Sequence, residues 1–172
     1  MRALVTAASR HGSTDEIAEA LAGVLRDNGA EVDLIEPAAV HEITDYDTIV
    51  LGSAIYLGHW MNDAKSFAER FADALRLRQV WLFSSGPVGD QDPPVGDPAD
   101  IAALLKATGA VEHRLFAGKL DRSELGFGER VAVRVVHAPE GDYRDWNAVR
   151  DWAETILGTP RYTRHLEPEG TP

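Results

Sequence analysis

The sequence predicts an α/β fold in which a parallel sheet carries helices on both faces. Three observations support this. Apolar runs such as "RALVTAA" and "QVWLFSS" are continuous rather than alternating, as in strands buried on both sides. Between these runs the apolar period switches to three and four, the spacing of an amphipathic helix. The two patterns also alternate along the chain, and right-handed crossovers resolve that alternation into a parallel sheet.

Each element follows from its residues. Residues 2–8 form the first strand, and from Thr14 the positions Ile17, Ala18, Leu21, Val24 and Leu25 mark a helix that Gly29 caps. "VDLIE" (32–36) and "DTIVLGS" (47–53) read as the second and third strands. A helix over 63–75 turns Ala64, Phe67, Ala68, Phe71 and Leu75 inward, and "QVWLFSS" (79–85) is the fourth strand. A helix over 97–109 is expected to start with Asp97 as N-cap and Pro98 at its first position. "HRLFAGKL" (113–120) is the fifth strand, and the last helix spans 145–157 with Trp146, Val149, Ala153 and Ile156 on one face. The stretch 85–98, with three Gly and four Pro, reads as a loop. Residues 121–144 are an insertion in which "ERVAVRVV" suits strand or helix equally. One domain over 1–158 and a flexible tail over 159–172 complete the expected organisation.

Composition narrows the function. A chain of 172 residues is long enough for one substantial core. The net charge of -11 argues against general nucleic-acid binding, which needs clustered Lys and Arg. The absence of cysteine excludes thiolate catalysis, disulfides and Cys-ligated metals. No apolar run reaches the length of a membrane span, and Arg2 leads directly into a strand pattern, so the expected location is cytoplasmic.

In an open α/β sheet, ligands bind at the carboxyl ends of the strands. There the turn Ser9-Arg10-His11-Gly12-Ser13-Thr14 offers hydroxyls, backbone amides and a helix N-terminus, a combination that suits a phosphate monoester. A plain Ser/Thr-rich helix cap has the same composition. The turn lacks the Lys of a P-loop and the three glycines of a dinucleotide fingerprint. "GSAIYLGHWM" (52–61) follows the third strand and sets Tyr56, His59 and Trp60 in a glycine-containing loop, awaiting a flat partner or packing on the next helix. The loop "SSGPVGD" (84–90) adds small residues at the same edge. A planar ring with a phosphate tail, as in FMN, matches all three loops.

On these residues the sequence resembles the flavodoxin-like superfamily. Residues 9–14 are similar to its T/S-x-T-G-x-T phosphate loop, with His11 at the middle Thr. The match is closer to the branch of menaquinone-dependent protoporphyrinogen IX dehydrogenases. Arg10, the segment Gly52-Ser53-Ala54-Ile55-Tyr56-Leu57-Gly58-His59-Trp60, Ala117-Gly118-Lys119-Leu120 and Asp145-Trp146 all resemble features of that branch. The resemblance implies a doubly wound five-stranded sheet of order 2-1-3-4-5. It also implies FMN as cofactor, with its phosphate on Ser9, Arg10, His11, Gly12, Ser13 and Thr14. Its ring would lie between Ser53, Ala54, Ile55, Tyr56, Leu57, Gly58 and Trp60 on one side and Ser84, Ser85, Gly86, Val88 and Gly89 on the other. The insertion 121–144 departs from the branch in being shorter and acidic.

Arg10 and His59 are the candidate catalytic groups, Arg10 through its fork for phosphate or carboxylate and His59, like His11, through its titration near neutral pH. A surface loop offers His11 and His59 an equally ordinary place, and His113 and His137 read as structural or surface residues. No His and carboxylate spacing suggests a metal. The chemistry would then belong mostly to the cofactor, with no indispensable side-chain acid or base. The resulting expectation is an FMN oxidoreductase passing electrons via flavin N5 between a small substrate, with protoporphyrinogen IX of haem biosynthesis the leading named one, and a quinone-like acceptor. The alternative is a flavodoxin-type single-electron carrier docking basic partners through its acidic surface. A phosphoacceptor domain would need carboxylates after the first strand, where "TAASRHGS" has none. Peripheral membrane contact and oligomeric state stay open.

Overall fold

The computed structural model describes residues 1–86, 98–120 and 141–160. β1 (Arg2–Ala8) leads through a short loop into α1 (Ser13–Asp27), and β2 (Glu31–Leu34) is followed by a single 3-10 turn at Pro37–Ala39. β3 (Thr48–Tyr56) folds back on β4 (His59–Trp60), and α2 (Asn62–Arg70) and α3 (Ala72–Leu75) precede β5 (Gln79–Ser85). α4 (Ile101–Thr108), β6 (Glu112–Phe116), β7 (Lys119–Leu120), β8 (Gly141–Asp142) and α5 (Trp146–Gly158) complete the described elements.

The parallel strands run in the order β2-β1-β3-β5-β6, which is the expected five-stranded arrangement. β4 is an extra antiparallel strand on the end of β3, and β7 and β8 form a separate two-stranded ribbon. Alternation along each buried strand feeds two cores. Val5, Val50, Trp81 and Phe83 point to α1 and α5, whereas Leu4, Ile49, Leu51 and Leu82 point to α2, α3 and α4.

Several boundaries differ from the sequence expectation. β3 runs to Tyr56 rather than stopping at residue 53, because pairing with β4 extends it. The helix over 63–75 is two helices, broken at Phe71, whose φ of -111° leaves the helical range. α4 begins at Ile101, and Pro98 stands before it with its carbonyl accepting from Ile101 N at 3.0 Å. The expected cap Asp97 lies outside the described residues, as does the undecided "ERVAVRVV" stretch. The fifth parallel strand stops at Phe116, and Lys119–Leu120 turns away to pair with Gly141–Asp142.

The last helix also corrects the sequence expectation. Val149, Ala153 and Ile156 face the core, but Trp146 is 38% exposed, with the Arg144 guanidinium 4.5 Å above its ring. Trp152 takes the inward place. It meets Phe116, Trp81 and Phe83 edge-on at centroid distances of 5.6, 6.0 and 6.2 Å. Such pairs add about 0.5–1.5 kcal/mol each beyond area burial. The N-cap is Asp145, which accepts from the amides of Asn147 and Ala148.

Gly52 is fixed by packing. A Cβ there would stand 2.1 Å from the Phe83 ring, so the sheet admits only glycine at this point.

Candidate functional site

Three connections leave the carboxyl edge of the sheet side by side: the loop after β1, the β3–β4 turn, and the chain after β5. Gly12 sits at the N-cap of α1 with φ 75°, a left-handed value that glycine adopts at little cost. Its carbonyl accepts from Glu16 N at 2.9 Å, which opens the helix. The first amides of α1 therefore have no partner within the helix, and their partial positive charge faces the loop. The space that a Gly12 Cβ would occupy is open to at least 4 Å. Ser9 Oγ is buried with no hydrogen-bond partner of proper geometry among the described residues. Ser13 Oγ accepts from Lys119 N at 3.1 Å, so its own hydrogen is available as a donor. Thr14 is buried. These features suit a bound phosphate.

The β2 side of this loop is acidic. On the β2 side, clefts of about 250 and 110 Å³ are lined by Asp15 and Glu36, with Glu19 in the larger and Asp63 in the smaller. Burial pushes the Asp15 carboxyl up; the nearby Ser9 hydroxyl pulls it down, while the Glu36 and Glu19 charges raise it further. That side repels a dianion.

The β3–β4 hairpin is built on two positive-φ residues, Leu57 (51°) and Gly58 (80°), the signature of a type I′ turn. Its register pairs Tyr56 with His59 and Ile55 with Trp60. Cross-strand partners share a face, so Tyr56 and His59 project together, 43% and 57% exposed. The Arg10 guanidinium lies 4.8 Å from the Tyr56 ring centroid, which joins the first loop to the hairpin. Leu57 is 85% exposed at the tip.

Trp60 differs from its expected role. It is 2% exposed and its Nε1–H donates to Ser84 Oγ at 2.7 Å, so it belongs to the core rather than to a ring-binding surface. The register turned it inward. Ser84 Oγ also lies 2.8 Å from His113 Nε2, which makes His113 a structural residue. Ser53 likewise uses its hydroxyl internally, donating to Ala54 O and accepting from Met61 N at 2.9 Å. Neither hydroxyl reaches outward. Ala54 and Ile55 are half-buried, Ser85 is buried, and Gly86 (φ 112°) donates its N–H to Phe116 O at 3.0 Å. Gly86 faces Ile55, whose Cβ would lie 3.8 Å from a methyl there. Val88, Gly89 and His137 lie outside the described residues.

Sequence reasoning missed the groups that hold these loops. Asp100 was assigned to a helix interior, yet its carboxylate accepts from Trp60 N at 2.9 Å and from His59 Nδ1 at 3.2 Å. Partial burial pushes that carboxyl up, but the Trp60 amide, the His59 hydrogen bond and the Lys65 charge together hold it below the usual carboxylate range. Arg144 was read as part of an insertion, yet it bonds Glu16 of α1 and Asp142 of β8, both at 2.7 Å, with only 3% of its side chain exposed. Those bonds hold the Asp142 carboxyl down at about 2. Asp100 lies 40 and 41 residues from Trp60 and His59, and Arg144 lies 128 from Glu16, so no local pattern signals these contacts. Among the described residues, no cluster of metal-ligating side chains occurs, and no helix is long and apolar enough to cross a membrane.

Comparison with known proteins shows the family and the fold. A family model described as "Flavodoxin domain" matches residues 4–147. The chain is 34% identical over 175 residues to the Protoporphyrinogen IX dehydrogenase [quinone] of Escherichia coli strain K12, covering 91% of this chain and 94% of that protein. Oxidised Flavodoxin 1 from Bacillus cereus superposes with TM-score 0.61 at 20% identity, over 91% of this chain and 97% of its own. The Streptococcus pneumonia TIGR4 flavodoxin gives TM-score 0.62 at 20% identity, over 91% and 98%.

Proposed function

The chain belongs to the flavodoxin-domain family, and from that premise we propose that it is an FMN-dependent oxidoreductase moving electrons between a small reduced substrate and a quinone-type acceptor. FMN is the family's cofactor, and when bound it supplies reversible acceptance of one or two electrons. Protoporphyrinogen IX is the leading substrate. The observation that carries this reading is the near full-length relationship to the E. coli dehydrogenase.

The chain's own residues have distinct parts in it. The amides at the start of α1, with Gly12, Ser13 and Thr14, bind the phosphate, and open space above Gly12 admits it. Ser9 and His11 complete that loop. Ala54, Ile55, Tyr56, Leu57 and Gly58 form one wall for the ring, and Ser85 and Gly86 form the other. Arg10 braces Tyr56 from the phosphate side. The buried hydroxyls of Ser53 and Ser84 hold the strand ends still without touching the ring.

The test is direct. Purified protein is titrated with FMN by fluorescence and then mixed anaerobically with protoporphyrinogen IX and menaquinone. Flavin binding followed by porphyrin formation is expected. Binding without porphyrin formation or quinone reduction would end the substrate assignment, and absence of binding would end the whole reading.

A second reading, a single-electron carrier, is favoured by the net charge of -11, which suits basic partners. Dithionite titration separates the two. A carrier takes up its electrons in two resolved one-electron steps, whereas the dehydrogenase takes both in one.

A further inference from the structure

We propose that Asp100 is a positioning residue that fixes His59 in its Nδ1–H tautomer, so that Nε2 offers a hydrogen-bond acceptor to an N–H or O–H of the reduced substrate. The role in substrate binding rests on the oxidoreductase reading above; the tautomer itself does not.

Asp100 immediately precedes α4, yet its carboxylate makes no capping bond to that helix. It turns instead to the β3–β4 hairpin. Its Oδ2 lies 2.9 Å from Trp60 N, 3.2 Å from His59 Nδ1 and 3.8 Å from Lys65 Nζ. A second tie, Ala99 N to Gly58 O at 3.2 Å, holds the same hairpin against the start of α4. The position of His59 relative to Asp100 is therefore set by backbone as well as side chain.

An ionised carboxylate can only accept, so the imidazole nitrogen facing it must carry the hydrogen. The neutral ring then has a bare lone pair at Nε2. His59 is 57% exposed and shares its face of the hairpin with Tyr56, on which Arg10 lies. The charged groups around it are Asp100 on the α4 side, Lys65 on α2 and Arg10 beyond Tyr56. Among the described residues, the Asp100 carboxylate is the acidic group in contact with the ring. A donor N–H, as on the pyrrole rings of a porphyrinogen, or a donor O–H of another small reduced substrate, is the chemistry that such an acceptor recognises. Remove the carboxylate, and the Nε2–H tautomer competes, presenting a donor where the substrate needs an acceptor.

The experiment has two arms. In FMN-free protein labelled with ¹⁵N-histidine, the ring shifts of His59 report the tautomer. The Nδ1–H form is expected in the wild type, and a mixture in Asp100→Asn, with Trp60 amide exchange checking that the hairpin persists. A wild-type ring in the Nε2–H form overturns the proposal, and that result does not depend on any variant folding. In the second arm, KM for protoporphyrinogen IX is measured for Asp100→Asn, His59→Gln and the double variant. A rise of about tenfold is expected for each single change, the scale of one hydrogen bond to a charged or well-oriented partner. The double variant should show no further rise, because Asp100 acts through His59. Additive losses overturn the positioning role. If wild-type protein leaves protoporphyrinogen IX unoxidised, the substrate reading fails and the ¹⁵N result still decides what Asp100 does to His59.

Discussion

The Arg10 guanidinium rests 4.8 Å from the centroid of the Tyr56 ring, across the gap between the loop after β1 and the hairpin after β3. On the proposed reading, Arg10 braces a ring wall as well as standing in a phosphate loop. Tyr56→Ala should weaken FMN binding about tenfold, near 1.4 kcal/mol, and Arg10→Ala should weaken it less. Quenching of flavin fluorescence on titration measures both. Equal affinity in Tyr56→Ala would remove that ring from the site.

The Phe83 ring fills the space that a Gly52 side chain would need on the neighbouring strand. Gly52→Ala should destabilise the fold by about 1–3 kcal/mol through overpacking. The double change Gly52→Ala with Phe83→Leu should recover part of that loss. Chemical denaturation of the three variants is the check, and a single variant as stable as wild type would contradict the close approach.

The two tryptophans of α5 should behave oppositely. Trp152 is enclosed by Trp81, Phe83 and Phe116, so Trp152→Ala should cost about 3–5 kcal/mol. Trp146 sits at the surface under Arg144, and Trp146→Ala should cost about 0.5 kcal/mol. Urea midpoints for the pair test the assignment.

Two carboxyls give the stability a definite pH response. The Asp142 carboxyl is held down at about 2 by Arg144, so its contribution is present above its unfolded value near 3.9 and is lost as pH falls through about 2. Asp142→Asn should flatten the stability curve in that window. Asp15 is shifted the other way, chiefly by burial, so ionising it opposes folding at neutral pH. Asp15→Asn should therefore stabilise the protein at pH 7, with the gain shrinking as acid protonates the wild-type carboxyl. Thermal melts across pH 2–7 would read both.

Much of the fold was legible because burial on both faces leaves a local mark. Leu4-Val5, Ile49-Val50-Leu51 and Val80-Trp81-Leu82 are continuous apolar runs, and each is a parallel strand of the sheet. The turn between β1 and α1 was legible too, since Gly12 sits where a strand pattern gives way to a helical one, although the helix opens at Ser13 rather than Thr14. Trp60 was not. Whether a hairpin residue points in or out depends on register, and register depends on a turn at Leu57-Gly58 that the glycine pattern alone did not fix. Trp146 and Trp152 were exchanged for a related reason: both lie near the apolar stripe of α5, and tertiary packing chose between them. Asp100 reaches Trp60 and Arg144 reaches Glu16 across long separations in sequence, where local periodicity carries no information.

Trp60 Nε1 can only donate, so Ser84 Oγ receives it, and the same oxygen is hydrogen-bonded to His113 Nε2 at 2.8 Å. Indole, alcohol and imidazole thereby make a three-member unit drawn from separate strands. Exchanging the central serine leaves the buried indole N–H without this acceptor, which makes stepwise divergence costly. Among descendants of a common ancestor, these three columns should either stay as they are or be replaced as a set.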